Sequence, residues 1–122
     1  MAGLTQARQV AILNTEFPNS GSTDHIAWSS NGTSESSALA RTAIGATGWA
    51  TATSADPSVK ANNSALTSAA ASGSATITHF AIFSAASGGT QKTDWQALAS
   101  SRAVVSGDTL QVAIGAIAIT LD

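Results

Sequence analysis

The stretch Thr76-Ile77-Thr78-His79-Phe80-Ala81-Ile82-Phe83 constrains the fold more than any other part of the chain. β-branched and aromatic residues dominate it, and Gly and Ser clusters bound it on both sides, which is the pattern of a strand. Alternation puts Phe80 and Ile82 on one face and Ile77 and Phe83 on the other. A strand apolar on both faces needs cover on both, so it belongs inside a sheet rather than at its edge.

Shorter segments read as its companions. His25-Ile26-Ala27-Trp28 is a short strand followed by a loop at Asn31-Gly32-Thr33. Residues 40–49 read as an extended segment bent at Gly45 and Gly48, and 65–73 as extended. Residues 54–64 contain Asp56-Pro57 and Asn62-Asn63 and read as loop. Ser87-Gly88-Gly89-Thr90 is a turn, Asp94 to Leu98 a strand, and Val104-Val105 lead into a tight turn at Ser106-Gly107-Asp108. At the C-terminus Leu110, Val112 and Ile114 alternate on even positions, whereas Ile117, Ile119 and Leu121 alternate on odd ones. One unbroken strand cannot hold both sets on one face, so Gly115-Ala116 must carry a bulge or a turn between two strands. Before all of these, Leu4, Ala7, Val10, Leu13 and Phe17 follow helical spacing until Pro18 ends the run. The expectation is a mainly β fold, an antiparallel β-sandwich or jelly-roll-like domain over 24–122, with one short N-terminal helix over 4–17. A length of 122 residues fits a single domain over 1–122.

Composition then limits how such a fold can be held together. Hydrophobic residues are 43% of the chain, but about half of them are Ala; there are three Trp, three Phe and no Tyr. Ala buries little area, and apolar burial stabilises by roughly 25 cal/mol per Å². The core is therefore thin. It calls for closely spaced sheets or for burial against neighbouring subunits. Charged residues are 10%, against roughly 25% in ordinary soluble domains. A surface of Ser, Thr, Asn and Ala loses little side-chain entropy on burial, which suits a subunit of an assembly.

Several function classes are disfavoured. The net charge is −2 without a basic run, which argues against nucleic-acid binding through phosphates. No Cys is present, so disulfides, thiolate zinc sites and thiol nucleophiles are excluded. No apolar stretch approaches the ~20 residues of a membrane-spanning helix. Met1-Ala2-Gly3-Leu4-Thr5-Gln6 lacks the basic and apolar regions of a signal peptide. Only His25 and His79 could serve as general bases near neutral pH. His79 lies inside the strongest strand, where packing explains it, and the Asp24-His25 pair is common by chance. No nucleophile elbow, cation-binding loop or phosphate-binding loop is found. The expectation is no enzyme, no catalytic residue, no metal site and no cofactor. Asn31-Gly32-Thr33 and Asn62-Asn63-Ser64 match a glycosylation pattern that a Ser/Thr/Asn-rich chain meets by chance. Trp28, Trp49 and Trp95 could stack on sugar rings, but with so few large side chains the core claims them first.

Three groups of residues carry a resemblance to a known family. They are Ala40-Arg41-Thr42-Ala43-Ile44, then Ile77 through Phe83 to Ser87-Gly88-Gly89, and finally Val105-Ser106-Gly107-Asp108-Thr109-Leu110-Gln111-Val112 through Gly115-Ala116 to Leu121-Asp122. These resemble small virion structural proteins of tailed bacteriophages, often labelled tail fibre, minor structural or head decoration proteins. The resemblance covers about two-thirds of the chain and is weak over 14–39. Its motifs are turn and core signatures, so it transfers no site residues. It implies a virion component made in the host cytoplasm. Joined to the thin core and low charge, it favours a head decoration (cement) subunit binding the major capsid protein or other virion proteins. A homo-oligomer, with a trimer favoured, fits that reading. A tail, neck or fibre component is the alternative, and a carbohydrate-binding module using exposed tryptophans is the alternative of another class.

Overall fold

The computed structural model describes residues 3–55 and 57–121. Met1 and Ala2 of the N-terminal segment, Asp56 of the Asp56-Pro57 turn and the final Asp122 lie outside the described residues. One helix, α1 (Gln6–Glu16), precedes β1 (His25–Ser29), β2 (Thr42–Ala43), β3 (Ser58–Ala61), β4 (Leu66–Thr67), β5 (Ala75–Phe83), β6 (Gln96–Val104), β7 (Gln111–Val112) and β8 (Ala118–Leu121). The protein is mainly β, with antiparallel sheets and one short N-terminal helix, as expected from the sequence. The chain forms two compact units. The first takes in the N-terminal segment to Ser22, Ile44–Ala65 and the chain from Val112 onward; the second takes in Thr23–Ala43 and Leu66–Gln111.

The second unit is built on the sheet β2-β1-β5-β6. β5 lies between β1 and β6, and its Ile77, Phe80, Ala81 and Ile82 are buried, odd and even positions alike. That is the two-faced cover its pattern requires. β1 pairs antiparallel with it from His25↔Phe83 to Ser29↔His79, burying Ile26, Ala27 and Trp28. β6 is a correction to the sequence reading: it starts at Gln96, not Asp94, and runs to Val104 rather than stopping at Leu98. It forms the sheet edge, and most of its residues are exposed. Between the pairs Ile77↔Arg102 and His79↔Ala97, β5 advances two residues while β6 advances five. The excess makes a wide bulge of Leu98, Ala99, Ser100 and Ser101. Small Ala and Ser side chains carry no alternation, so nothing in the sequence marked this strand's extent.

The first unit joins α1 to the ladder β3–β8, which runs antiparallel from Ser58↔Leu121 to Ala61↔Ala118. β3 falls inside the segment expected to be loop. Thr5 caps α1 through Oγ1, which accepts from Arg8 N at 3.4 Å. The helix thus begins two residues later than expected, and Leu4 is 40% exposed. The buried stripe is Gln9, Leu13 and, at the C-cap, Phe17, set four residues apart. Ala7 of the expected stripe is exposed. Gln9 takes the interior position because its amide is fully used there. Oε1 accepts from Ser58 N (2.8 Å), and Nε2 donates to Leu4 O (2.8 Å).

Other polar side chains fill this interior in the same way. Asn62 donates through Nδ2 to Ser64 O and Ala113 O, and its Oδ1 accepts from Ile117 N at 3.0 Å. These bonds and Gly115 N to Asn62 O hold the turn that separates β7 from β8. The turn is the one the phase slip demanded: Ile114 is 68% exposed, and Ile117 beyond it is buried. Lys60, on β3, has no exposed surface. Its Nζ donates to Asn14 Oδ1 (2.7 Å) and to Asn19 Oδ1. Asn14 Oδ1 also accepts from Ala52 N at 3.0 Å, so one amide oxygen links helix, loop and strand. Among described residues no buried side-chain polar atom lacks a partner. Each such atom left unsatisfied would cost about 1–3 kcal/mol. Trp49 supplies the largest apolar side chain, edge-on to Phe17 at 5.2 Å.

Burial pushes the Lys60 ammonium below the ordinary lysine value of 10.5, since both acceptors are neutral amides and removal from water disfavours the charged form. Between the lowered native value and 10.5 the unfolded chain holds more protons than the native one, so native stability rises with pH through that window. The chain has no Tyr or Cys to lose a proton in that range. Urea unfolding measured from neutral to alkaline pH will show that rise, and Lys60→Met will remove Lys60's share of it.

Candidate functional site

Arg41 joins more distant segments of the second unit than its place in the sequence suggests. It follows Ala40 at the entrance to β2, where the extended backbone directs it toward the loop that follows β5. Nε and Nη2 donate to the two carboxylate oxygens of Glu35 at 2.9 and 3.0 Å, a two-point pair. Nη1 donates to Ala85 O and Gly88 O, both at 2.8 Å. The guanidinium also lies 4.0 Å from the Phe83 ring centroid. Phe83 in turn meets Trp95 at 6.0 Å. A planar cation can make all these contacts at once, and a lysine cannot.

The loop it holds runs from Ser84 to Thr90 and contains the turn at Ser87-Gly88-Gly89-Thr90 read from the sequence. Ser84 N donates to Thr90 O (3.0 Å), and Thr90 N donates to Ser84 Oγ (2.8 Å). Gly88 and Gly89 both take positive φ, 61° and 71°, which side chains disfavour. The carbonyls of Ala85 and Gly88 face Arg41, which donates to both. A cavity of about 410 Å³ beside this cluster is lined by Glu35, Leu39, Arg41, Ala70, Ser72 and Ala86. The contacts of its only cation are committed to Glu35 and the loop, so the cavity does not assemble a binding cluster.

The residues singled out in the sequence are dispersed. His25 and His79 sit at opposite ends of the β1–β5 ladder. His25 Nδ1 donates to Thr23 O at 2.7 Å. Asp24, its neighbour in sequence, is buried and pairs with Lys92 Nζ at 2.7 Å. His79 bonds through Nδ1 with Thr78 Oγ1 (2.7 Å). Its ring packs on Gly32, where a Cβ would fall 3.0 Å from the imidazole. Gly32 also has φ +75°, so the position demands glycine twice over. Among described residues no three His, Cys, Asp or Glu side chains group as a metal site.

The tryptophans belong chiefly to structure. Trp28 is buried and donates from Nε1 to Thr42 Oγ1 at 3.1 Å. Trp49 is buried beside Phe17. Only Trp95 is half exposed, and it is tilted 51° to Phe83. Trp28 therefore offers no face to a sugar, which removes half of the basis for a carbohydrate-binding module. Asn62, the second glycosylation match, is buried and engaged with backbone.

Sequence reasoning missed Arg41 as a clamp, and Gln9, Asn14, Lys60 and Asn62 as interior links. A signal existed for Arg41: one cation flanked by Ala and Thr, in a chain poor in charge. The amides had none, because polar periodicity assigns them to solvent.

Comparison with known families gives one match: the model described as Podophage GP4 fiber I protein gp80 matches residues 10–120. Comparison with curated proteins returns no match. The matched span includes the helix from Val10, the Arg41 clamp and the sheet.

Arg41→Lys keeps the charge but cannot span Glu35 and two loop carbonyls. It will lower unfolding free energy by about 1–3 kcal/mol, read from urea melts. Amide exchange will speed up at Ser84 and Thr90.

Proposed function

The chain belongs to the podophage GP4 fiber I protein gp80 family, and from that premise we propose that it is a subunit of a podophage fibre that works by assembly rather than catalysis. The observation that carries this reading is the family match itself, which runs over 10–120. Membership makes the chain a phage structural protein of fibre type. The head-decoration role favoured by composition draws no specific support from that family, and the tail or fibre alternative stands closer to it.

Physical features agree with assembly. The surface is poor in charge, and the exposed residues of β6 are mainly Ala and Ser, which lose little entropy when covered. Its partners on this reading are other virion proteins and further copies of the same chain.

The test is immunogold electron microscopy of purified particles, joined to quantitative mass spectrometry against the major capsid protein. Label on the fibres, with a copy number far below that of the capsid subunit, is the expected result. Label spread over the shell at capsid stoichiometry would overturn the fibre reading in favour of head decoration.

A further inference from the structure

The loop after β1 joins two residues whose adjacency is chemically unstable. In Asn31-Gly32 no Cβ shields the glycine nitrogen, so that nitrogen can reach the asparagine side chain. Glycine is nevertheless required here by its positive φ and by the His79 ring against it. The sequence thus carries a liability that packing does not allow it to remove.

The surrounding bonds engage both reacting groups. Ser29 is fully buried at the end of β1. Its Oγ accepts from Gly32 N at 2.9 Å and from Asn31 N at 3.2 Å, and its hydroxyl proton is shared between Ser34 O at 2.6 Å and Asn31 Oδ1 at 3.1 Å. Asn31 Oδ1 accepts from Thr33 N (2.8 Å), Ser34 N (2.9 Å) and Thr33 Oγ1 (3.0 Å). Asn31 Nδ2 donates to Ser34 Oγ at 3.1 Å. Ser36 N closes the loop on Trp28 O at 2.7 Å. The carboxamide is thereby held by Ser29, Thr33 and Ser34, while the Gly32 N–H is engaged by Ser29.

We infer that Asn31 is a latent deamidation site, kept closed in the folded chain by the Ser29 hydroxyl and by the bonds to the Asn31 carboxamide. In the reaction, Gly32 N bonds to Asn31 Cγ, the Cγ–Nδ2 bond breaks, and Nδ2 leaves as ammonia with the proton lost from Gly32 N. Water then opens the cyclic imide at either carbonyl, giving aspartate or isoaspartate. Attack requires Gly32 N to leave Ser29 and the carboxamide to give up its bonds to Ser29, Thr33 and Ser34, so the folded loop resists the approach. Isoaspartate would add a methylene to the main chain and displace Gly32 from His79, loosening the β1–β5 end of the sheet.

The test follows each asparagine by peptide-mapping mass spectrometry in the full chain at mildly alkaline pH. Folded protein, protein in urea and folded Ser29→Ala are compared, with Asn63, which precedes Ser64, as internal reference. Asn31 is expected to convert many-fold more slowly in the folded chain than in urea. Ser29→Ala will speed folded conversion several-fold and leave Asn63 unchanged. Should Ser29→Ala not fold, the exposed Ser34→Ala, which frees Asn31 Nδ2, takes its place with the same expected direction. Equal rates in folded and unfolded protein, or a folded variant as slow as the native chain, would overturn the inference.

Discussion

The structure depends on one constraint: a chain with six aromatic side chains, whose apolar residues are about half alanine, must bury polar side chains, and every one it buries must be hydrogen-bonded. In the first unit this duty falls on Gln9, Asn14, Asn62 and Lys60, each bridging segments distant in sequence. In the second it falls on Arg41 and the buried Asp24–Lys92 pair. A single net hydrogen bond contributes about 1 kcal/mol, while a stranded buried partner costs about 1–3 kcal/mol. The network therefore contributes specificity more than bulk stability. Wrong packings leave amides stranded, and the native one does not.

Apolar burial still sets the frame. β5 is the axis of the second unit because its odd and even faces are both covered, and β1 is buried beside it. The sheet is unequal from centre to edge. Its middle strands are filled with Ile, Trp and Phe, and its edge strand β6 with Ala and Ser. The bulge in β6 interrupts the edge, a common means of blunting unwanted strand pairing, and leaves small side chains facing solvent.

What could be read in advance follows from where the information lies. The central strand was legible because its side chains are β-branched or aromatic at nearly every position. The break at Gly115-Ala116 was legible because a change of phase has no other geometric solution. β3 was not, since Ser58-Val59-Lys60-Ala61 has one strong strand former and sits between Pro57 and two asparagines. Its pairing with β8 and the burial of Lys60 supply what local preference lacks. The helix was found, but its buried stripe was misjudged, because hydropathy cannot tell that Gln9 will meet Ser58 N. The clamp at Arg41 needed the carbonyls of a loop more than forty residues away. Such roles are properties of tertiary partners. Trp28 and Trp49, which the sequence reading assigned first to the core, are buried there.

The interleaving of segments within the first unit has a consequence for the rate at which it closes. β3 finds its partner in β8, with Ser58 opposite Leu121 and Ala61 opposite Ala118. Such distant partners must be brought together before their contact stabilises anything, and the loop between them loses its freedom first. Pairings of this kind slow folding compared with contacts made between neighbours in the chain. The ladder that buries Lys60 is therefore a slow, non-local element of the fold.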